Sequence, residues 1–547
     1  MSKLWRVATT FVAVSAVLLA IAAVTIPSLL RARIAVPHQG PYPTAAPYLA
    51  PPATLPFAGK LANEDRQAPP LDREGYAHIV ENALVRAIDQ PLSTFSVDVD
   101  TASYANVRRF LSMGQLPPKD AVRIEELVNY FGYDYDEPRG PHPFSVTTEV
   151  AACPWREGHR LVLIGLQGRR IADADLPPRN LVFLVDVSGS MNQPQKLPLV
   201  KASLGLLADT LREQDTVALV VYAGAAGLVL PPTPGDRKAE IRRALDRLEA
   251  GGSTAGGAGI ELAYKVAGES FVKGGINRVI LATDGDFNVG VTSDGELVRL
   301  IEEKRKSRVF LSVLGFGMGN YQDAKMEQLA DKGDGNYAYI DTLHEARKVL
   351  VEQAGGTLVT IAKDVKIQVE FNPARVAAYR LIGYENRVLA AQDFNDDKKD
   401  AGEIGAGHSV TALYEIVPAG MEVTAGTVDA LKYQQPRLAS AQAKSEELMT
   451  VKLRYKAPEG DASRLLSVAV READDAALKP RLAFASAVAG FGMLLRESEH
   501  KGTLSYAGVR ELASRGTGAD PNGYRSEFVK LVTAAEGLAG GRKIAER

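Results

Sequence analysis

The sequence predicts an α/β fold: a doubly wound, mostly parallel sheet, with α+β regions before and after it in the chain. Three observations carry this reading. First, four short apolar runs at 181–185, 216–222, 277–282 and 309–314 are separated by helix-like stretches such as Lys201 to Arg212, Lys238 to Leu248 and Gly295 to Lys306. Continuous apolar strands alternating with helices belong to a parallel sheet covered on both faces, joined by right-handed crossovers. Second, the first run ends abruptly in Asp186, Ser188 and Ser190, three oxygen-bearing side chains at alternate positions. They fall beyond the carboxyl end of a strand, where open α/β sheets bind ligands. Third, beyond Thr357 the character shifts to alternating strands followed by separate helices.

At the amino terminus, Lys3 and Arg6 precede Val7 to Leu30, a stretch of 24 residues without charge, and Arg31 and Arg33 close it. A secretory signal has an apolar core of about 7–15 residues and a spanning helix needs about 20, so residues 1–34 read as an uncleaved transmembrane helix. Cleavage after Ala20-Ile21-Ala22 is the alternative. The expectation is a membrane-anchored protein whose globular part is periplasmic or extracellular. Residues 35–75 follow as a linker with prolines at 37, 41, 43, 47, 51, 52, 56, 69 and 70. Such a tether favours extended polyproline geometry and reaches on the order of 100 Å.

Residues 89–170 form the next unit. Ser93 to Asp98 alternates as a half-exposed strand does, which explains Asp98 and Asp100 as polar-face residues rather than ligands. Thr101-Ala102-Ser103 then caps a helix carrying Val107, Phe110 and Leu111. Pro117-Pro118 breaks the chain. A second helix from about Lys119 places Val122, Leu127, Val128 and Phe131 on one side, and strands Phe144 to Ala151 and Arg160 to Leu166 lead toward the central sheet.

Within 179–350, two further pieces complement Asp186, Ser188 and Ser190. Gly251-Gly252-Ser253-Thr254 supplies a hydroxyl after a helix-like segment, and Asp284 follows the third apolar strand in Thr-Asp-Gly-Asp-Phe-Asn. Ser-Gly-Ser after a strand is common turn chemistry on its own; the complete set is specific. Hydroxyls and carboxylates without Cys or His suit a hard cation, Mg²⁺ (or Mn²⁺), rather than Zn²⁺. With Leu-Val-Phe-Leu-Val-Asp-Val-Ser-Gly-Ser at 181–190, the set resembles the metal-ion-dependent adhesion site of a von Willebrand factor A (VWA) domain, a Rossmann-like fold. The resemblance implies that Ser188, Ser190 and Thr254 bind the ion directly and that Asp186 and Asp284 hold it largely through water. It also implies an open coordination position for an acidic side chain of a protein partner.

From 357 to 540, strands are expected at Lys363 to Phe371, Val376 to Ile382, Ser409 to Val417 and Glu447 to Tyr455, with another at Arg464 to Val470. Helices follow at Lys479 to Glu497, Tyr506 to Ser514 and Tyr524 to Leu538. Residues 91–110, 123–131, 381–387 and 394–415 are similar to the flanking regions of bacterial YfbK-like VWA proteins, a likeness that spans 89–540. The acidic run Asp393, Asp396, Asp397 and Asp400 lacks the Gly and Glu spacing of a Ca²⁺ loop and reads as a solvated loop.

Composition excludes several functions. The 547-residue chain is 46% hydrophobic and 24% charged, with net charge −2, so it lacks the basic surplus that nucleic acid binding needs. The single cysteine, Cys153, excludes intrachain disulfides. No nucleotide site is expected: the glycines of 251–259 lack the Gly-Lys-Ser/Thr ending of a phosphate loop. No nucleophile, base and acid set is recognisable, so the chain is not expected to be an enzyme. The function expected is Mg²⁺-dependent protein–protein binding by a membrane-tethered VWA protein. The alternative is a non-catalytic regulatory partner of an AAA+ ATPase assembly, since VWA domains also serve such motors.

Overall fold

The computed structural model describes residues 74–252, 256–285, 294–319, 321–353, 358–399, 401–423, 440–472 and 477–545. In chain order its strands are β1 (Val85–Arg86), β2 (Leu92–Ser96), β3 (Phe144–Ala152), β4 (Arg160–Gly168), β5 (Arg179–Asp186), β6 (Thr216–Tyr222), β7 (Ala226–Pro234), β8 (Ile276–Thr283), β9 (Phe310–Phe316) and β10 (Tyr337–Ile340). Then come β11 (Thr360–Phe371), β12 (Val376–Ile382), β13 (Val388–Leu389), β14 (Ile404–Gly405), β15 (Ser409–Pro418), β16 (Glu447–Lys456) and β17 (Ser463–Arg471).

The central sheet has the order β10-β9-β8-β5-β6-β7. Its first five members run parallel and β7 is antiparallel. Every residue of β5 and β8 is buried, which is why these strands read as unbroken apolar runs rather than alternating ones. The chain winds from β5 to β6 on one side and then to β8 and β9 on the other, so helices cover both faces. Helices Leu197–Thr210 and Lys238–Asp246 press Val200, Leu204, Leu207, Ile241 and Leu245 onto Phe183 and Leu219. Helices Gly256–Glu269, Asp294–Lys304 and Asp323–Lys332 set Ile260, Ile301 and Met326 against Val182, Leu184, Val279 and Leu281.

Two strands of this sheet carry no clear sequence signal. β7 contains Pro231, Pro232 and Pro234, and it sits on the edge, the position in a sheet at which proline is tolerated. β10 has only four residues.

The stretches before and after the central sheet interleave. One further sheet has the order β1-β12-β15-β4-β3 and the other β13-β2-β11-β16-β17, with β14 on β11. Phe95 of β2 pairs with Ile367 of β11, and Leu163 of β4 with Leu413 of β15, so strands from both stretches complete each sheet. Between the sheets lie Phe95, Ile367, Val369, Val451 and Leu453 from one and Val162, Ile164, Val410, Tyr414 and Ile416 from the other. Because side chains alternate along a strand, Leu161, Leu163 and Leu413 face the opposite way. They meet helices Ala102–Ser112, Ile124–Asn129, Pro480–Arg496, Tyr506–Gly516 and Tyr524–Ala545 through Tyr104, Leu127, Phe484, Phe491, Val509 and Phe528. Each such aromatic or aliphatic side chain contributes about 1.5–3 kcal/mol by leaving water.

Helix Ala102–Ser112 also packs Ala102 and Ala105 into the core under the central sheet, and Asp100 Oδ1 accepts the Tyr337 N–H at 2.8 Å. The helix expected from Lys119 onward is shorter than its apolar spacing suggests. A single turn, Lys119–Ala121, gives way to extended backbone at Val122 and Arg123 before helix Ile124–Asn129. The break directs the Arg123 guanidinium to Glu126 and to Asp323, which lies on a helix of the central unit.

The expectation of a membrane-anchored protein with a periplasmic or extracellular globular part is corrected: among the described residues no helix is long and apolar enough to cross a membrane. The stretch Val7 to Leu30 on which that expectation rested, and nearly all of the linker, lie outside the described residues.

Candidate metal centre

Asp186 is the last residue of β5, and β5 is where the winding of the central sheet reverses. The parallel register sets Tyr222 of β6 directly beside Asp186, and pairing of Val185 with Ala282 brings Thr283 of β8 alongside on the other flank. Both hydroxyls donate to Asp186 Oδ2, Tyr222 at 3.2 Å and Thr283 at 3.3 Å. Oδ1 accepts the Ser188 N–H at 2.8 Å, which bends the chain out of the strand. Asp186 is fully buried. Burial pushes its carboxyl up to about 6; hydrogen bonds from Ser188 oppose the rise and the nearby Asp284 carboxylate adds to it.

The hydroxyls of Ser188 and Ser190 lie 3.0 Å apart and share a hydrogen bond, Ser188 buried and Ser190 half-buried. Two backbone bonds fasten the Gly-Gly segment to this loop: Gly251 N–H to Val187 O at 2.8 Å, and Gly189 N–H to Gly252 O at 3.1 Å. Gly252 holds φ +84°, a left-handed conformation that glycine adopts without strain. Thr254, two residues on, lies outside the described residues, as does Ser253.

Asp284, fully buried, follows β8. Its Oδ2 accepts from Lys196 Nζ at 2.9 Å. Of the five residues expected from sequence, Asp186, Ser188, Ser190 and Asp284 therefore stand together at the carboxyl edge of the sheet. The sequence reading missed Lys196, Tyr222 and Thr283. The last two could have been found as the residues that end the strands on either side of β5. For Lys196 the only signal is a lysine just ahead of helix Leu197–Thr210, six residues beyond Ser190.

Among the described residues no cluster of three or more His, Cys, Asp or Glu side chains is placed to hold a metal ion. The set at β5 is of another kind, two carboxylates with hydroxyls. Its donors are all oxygen, and its buried carboxylates favour positive charge between them, so the chemistry fits a hard divalent cation.

Three family models match the chain: von Willebrand factor type A domain over residues 180–353, von Willebrand factor over 70–163, and uncharacterized protein YfbK, C-terminal, over 356–538. The Escherichia coli protein YfbK is 45% identical over 470 residues, 85% of this chain and 81% of that protein. Among solved structures, a von Willebrand factor type A protein from Catenulispora acidiphila is 18% identical, with TM-score 0.38, covering 73% of this chain and 91% of that one. Proximal thread matrix protein 1 from the mussel byssus, solved with a zinc-occupied adhesion motif, is 22% identical, with TM-score 0.27, covering 33% of this chain and 46% of that one. By its identity to YfbK over most of both chains, this protein belongs to the YfbK-like family of von Willebrand factor A domain proteins.

Proposed function

We propose that the chain is a binding protein that takes up one Mg²⁺ (or Mn²⁺) through Asp186, Ser188, Ser190, Thr254 and Asp284 and thereby holds an acidic side chain of a protein partner, without catalysing a reaction. The observation that carries the reading is the convergence of Asp186, Ser188, Ser190 and Asp284 where the winding of the sheet reverses, the place at which open α/β sheets bind ligands. When bound, the cation supplies a Lewis-acidic position that a carboxylate can occupy. The chain's own groups do the rest. Ser188 and Ser190 turn their hydroxyls toward each other and can redirect them to a cation. Tyr222 and Thr283 hold the Asp186 carboxylate in one orientation, which lowers the cost of assembling the donor set.

Calorimetric titration of the purified chain with Mg²⁺ tests the proposal. One binding event is expected in the native protein and none in Asp186→Ala or Asp284→Ala, with circular dichroism showing both variants folded. Unchanged Mg²⁺ binding in either folded variant would overturn the assignment.

A further inference from the structure

Lys196 is only 2% exposed, although lysine usually keeps its ammonium in water. Its course through the protein is built. Gly317, just past the end of β9, holds φ +81°, and a Cβ there would lie 2.4 Å from Lys196 Cε and 2.7 Å from its Cγ. Glycine at this position leaves the channel that the lysine stem fills. The Tyr339 hydroxyl donates to Gly317 O at 2.6 Å and holds that peptide in place. At the far end, Nζ meets Asp284 Oδ2 at 2.9 Å.

We infer that the Lys196 ammonium is a built-in counter-ion of the Asp284 carboxylate, and that it weakens divalent-cation binding at this site in favour of anionic ligands. The inference rests on the reading of the site as a metal centre. The ammonium stands against a carboxylate expected to hold the cation, so an incoming divalent ion meets a like charge already in place. That charge repels the ion and attracts a partner's carboxylate. Low local dielectric magnifies both effects, because Lys196, Asp186 and Asp284 are all buried. Lys196 is thus a positioning and charge-setting residue rather than a ligand.

The test is Mg²⁺ titration by calorimetry of the native chain, Lys196→Met, Lys196→Gln and Lys196→Arg, together with melting curves in EDTA. Removing the charge is expected to tighten Mg²⁺ binding about tenfold or more, a step worth 1.4 kcal/mol by the standard conversion. Lys196→Arg, which keeps the charge, should stay within about threefold of the native protein. Without metal, Lys196→Met should melt lower, since Asp284 loses its counter-ion, and Mg²⁺ should raise its melting temperature more than that of the native chain.

Unchanged or weaker Mg²⁺ binding in both neutral variants, with the native chain binding, overturns the counter-ion role and leaves the metal centre standing. Binding by the neutral variants but not by the native chain supports the counter-ion role and overturns the metal reading of the native site. Binding by none of them overturns both.

Discussion

Arg108 Nη2 lies 2.7 Å from Glu345 Oε2, a buried ion pair that joins helix Ala102–Ser112, ahead of the central sheet in the chain, to helix Leu343–Arg347 at the end of the central unit. The same guanidinium donates to Asp341 Oδ2 at 2.8 Å, Glu527 Oε1 at 3.0 Å and the Tyr130 hydroxyl at 3.2 Å. One side chain thus bonds groups contributed by three stretches of sequence.

Arg108→Ala should therefore destabilise the whole protein. Truncation leaves Glu345, which is 1% exposed, without its guanidinium partner, and breaking a buried pair in this way costs about 3–5 kcal/mol. Urea denaturation followed by far-ultraviolet circular dichroism is the check. A midpoint within error of the native value would show that the network is dispensable.

The interleaved sheets lead to a second expectation. A fragment of residues 358–545 should not fold alone, because β11 would lose β2 and β15 would lose β4, exposing edges and apolar faces that the native pairing covers. Near-ultraviolet circular dichroism and a urea titration of the isolated fragment decide this. A cooperative transition with native-like tertiary signal would refute it.

A third expectation concerns pH. Glu125 is 4% exposed and its Oε2 has no hydrogen-bond partner among the described residues. Burial pushes its carboxyl up to about 7, with the Glu385 carboxylate adding to the rise and Arg496 opposing it. The folded state therefore holds this proton more tightly than the unfolded state does. The resulting stability is fully present below the unfolded value near 4.5 and is lost as pH rises through about 7. Glu125→Gln mimics the protonated form. It should be more stable than the native chain at pH 8, by up to about 3 kcal/mol, with the difference shrinking as pH falls and vanishing only below about pH 4. Melting curves of both proteins across that range provide the measurement, and a pH-independent difference would sink the assignment.

Local pattern made much of the centre legible. β5, β6, β8 and β9 stand out because burial on both faces demands unbroken apolar runs. Asp186, Ser188 and Ser190 stand out because a single loop spaces them. β7 escapes because its prolines contradict strand propensity and only its edge position excuses them. The stop in the helix expected from Lys119 escapes because Arg123 leaves helical geometry and bonds an aspartate 200 residues away.

By itself, then, the sequence determined the doubly wound centre and the place of Asp186, Ser188 and Ser190 at the end of its first strand, since hydrophobic periodicity and loop spacing are properties of neighbouring residues. Only the tertiary structure decided that Lys196 reaches Asp284 across 88 positions, and that β2 pairs with β11, where Gln368 Nε2 donates to Thr94 Oγ1 across 274. An alternating strand announces that one face is buried but not which strand lies beside it. That choice depends on complementary surfaces that exist only once the chain has closed loops of these lengths.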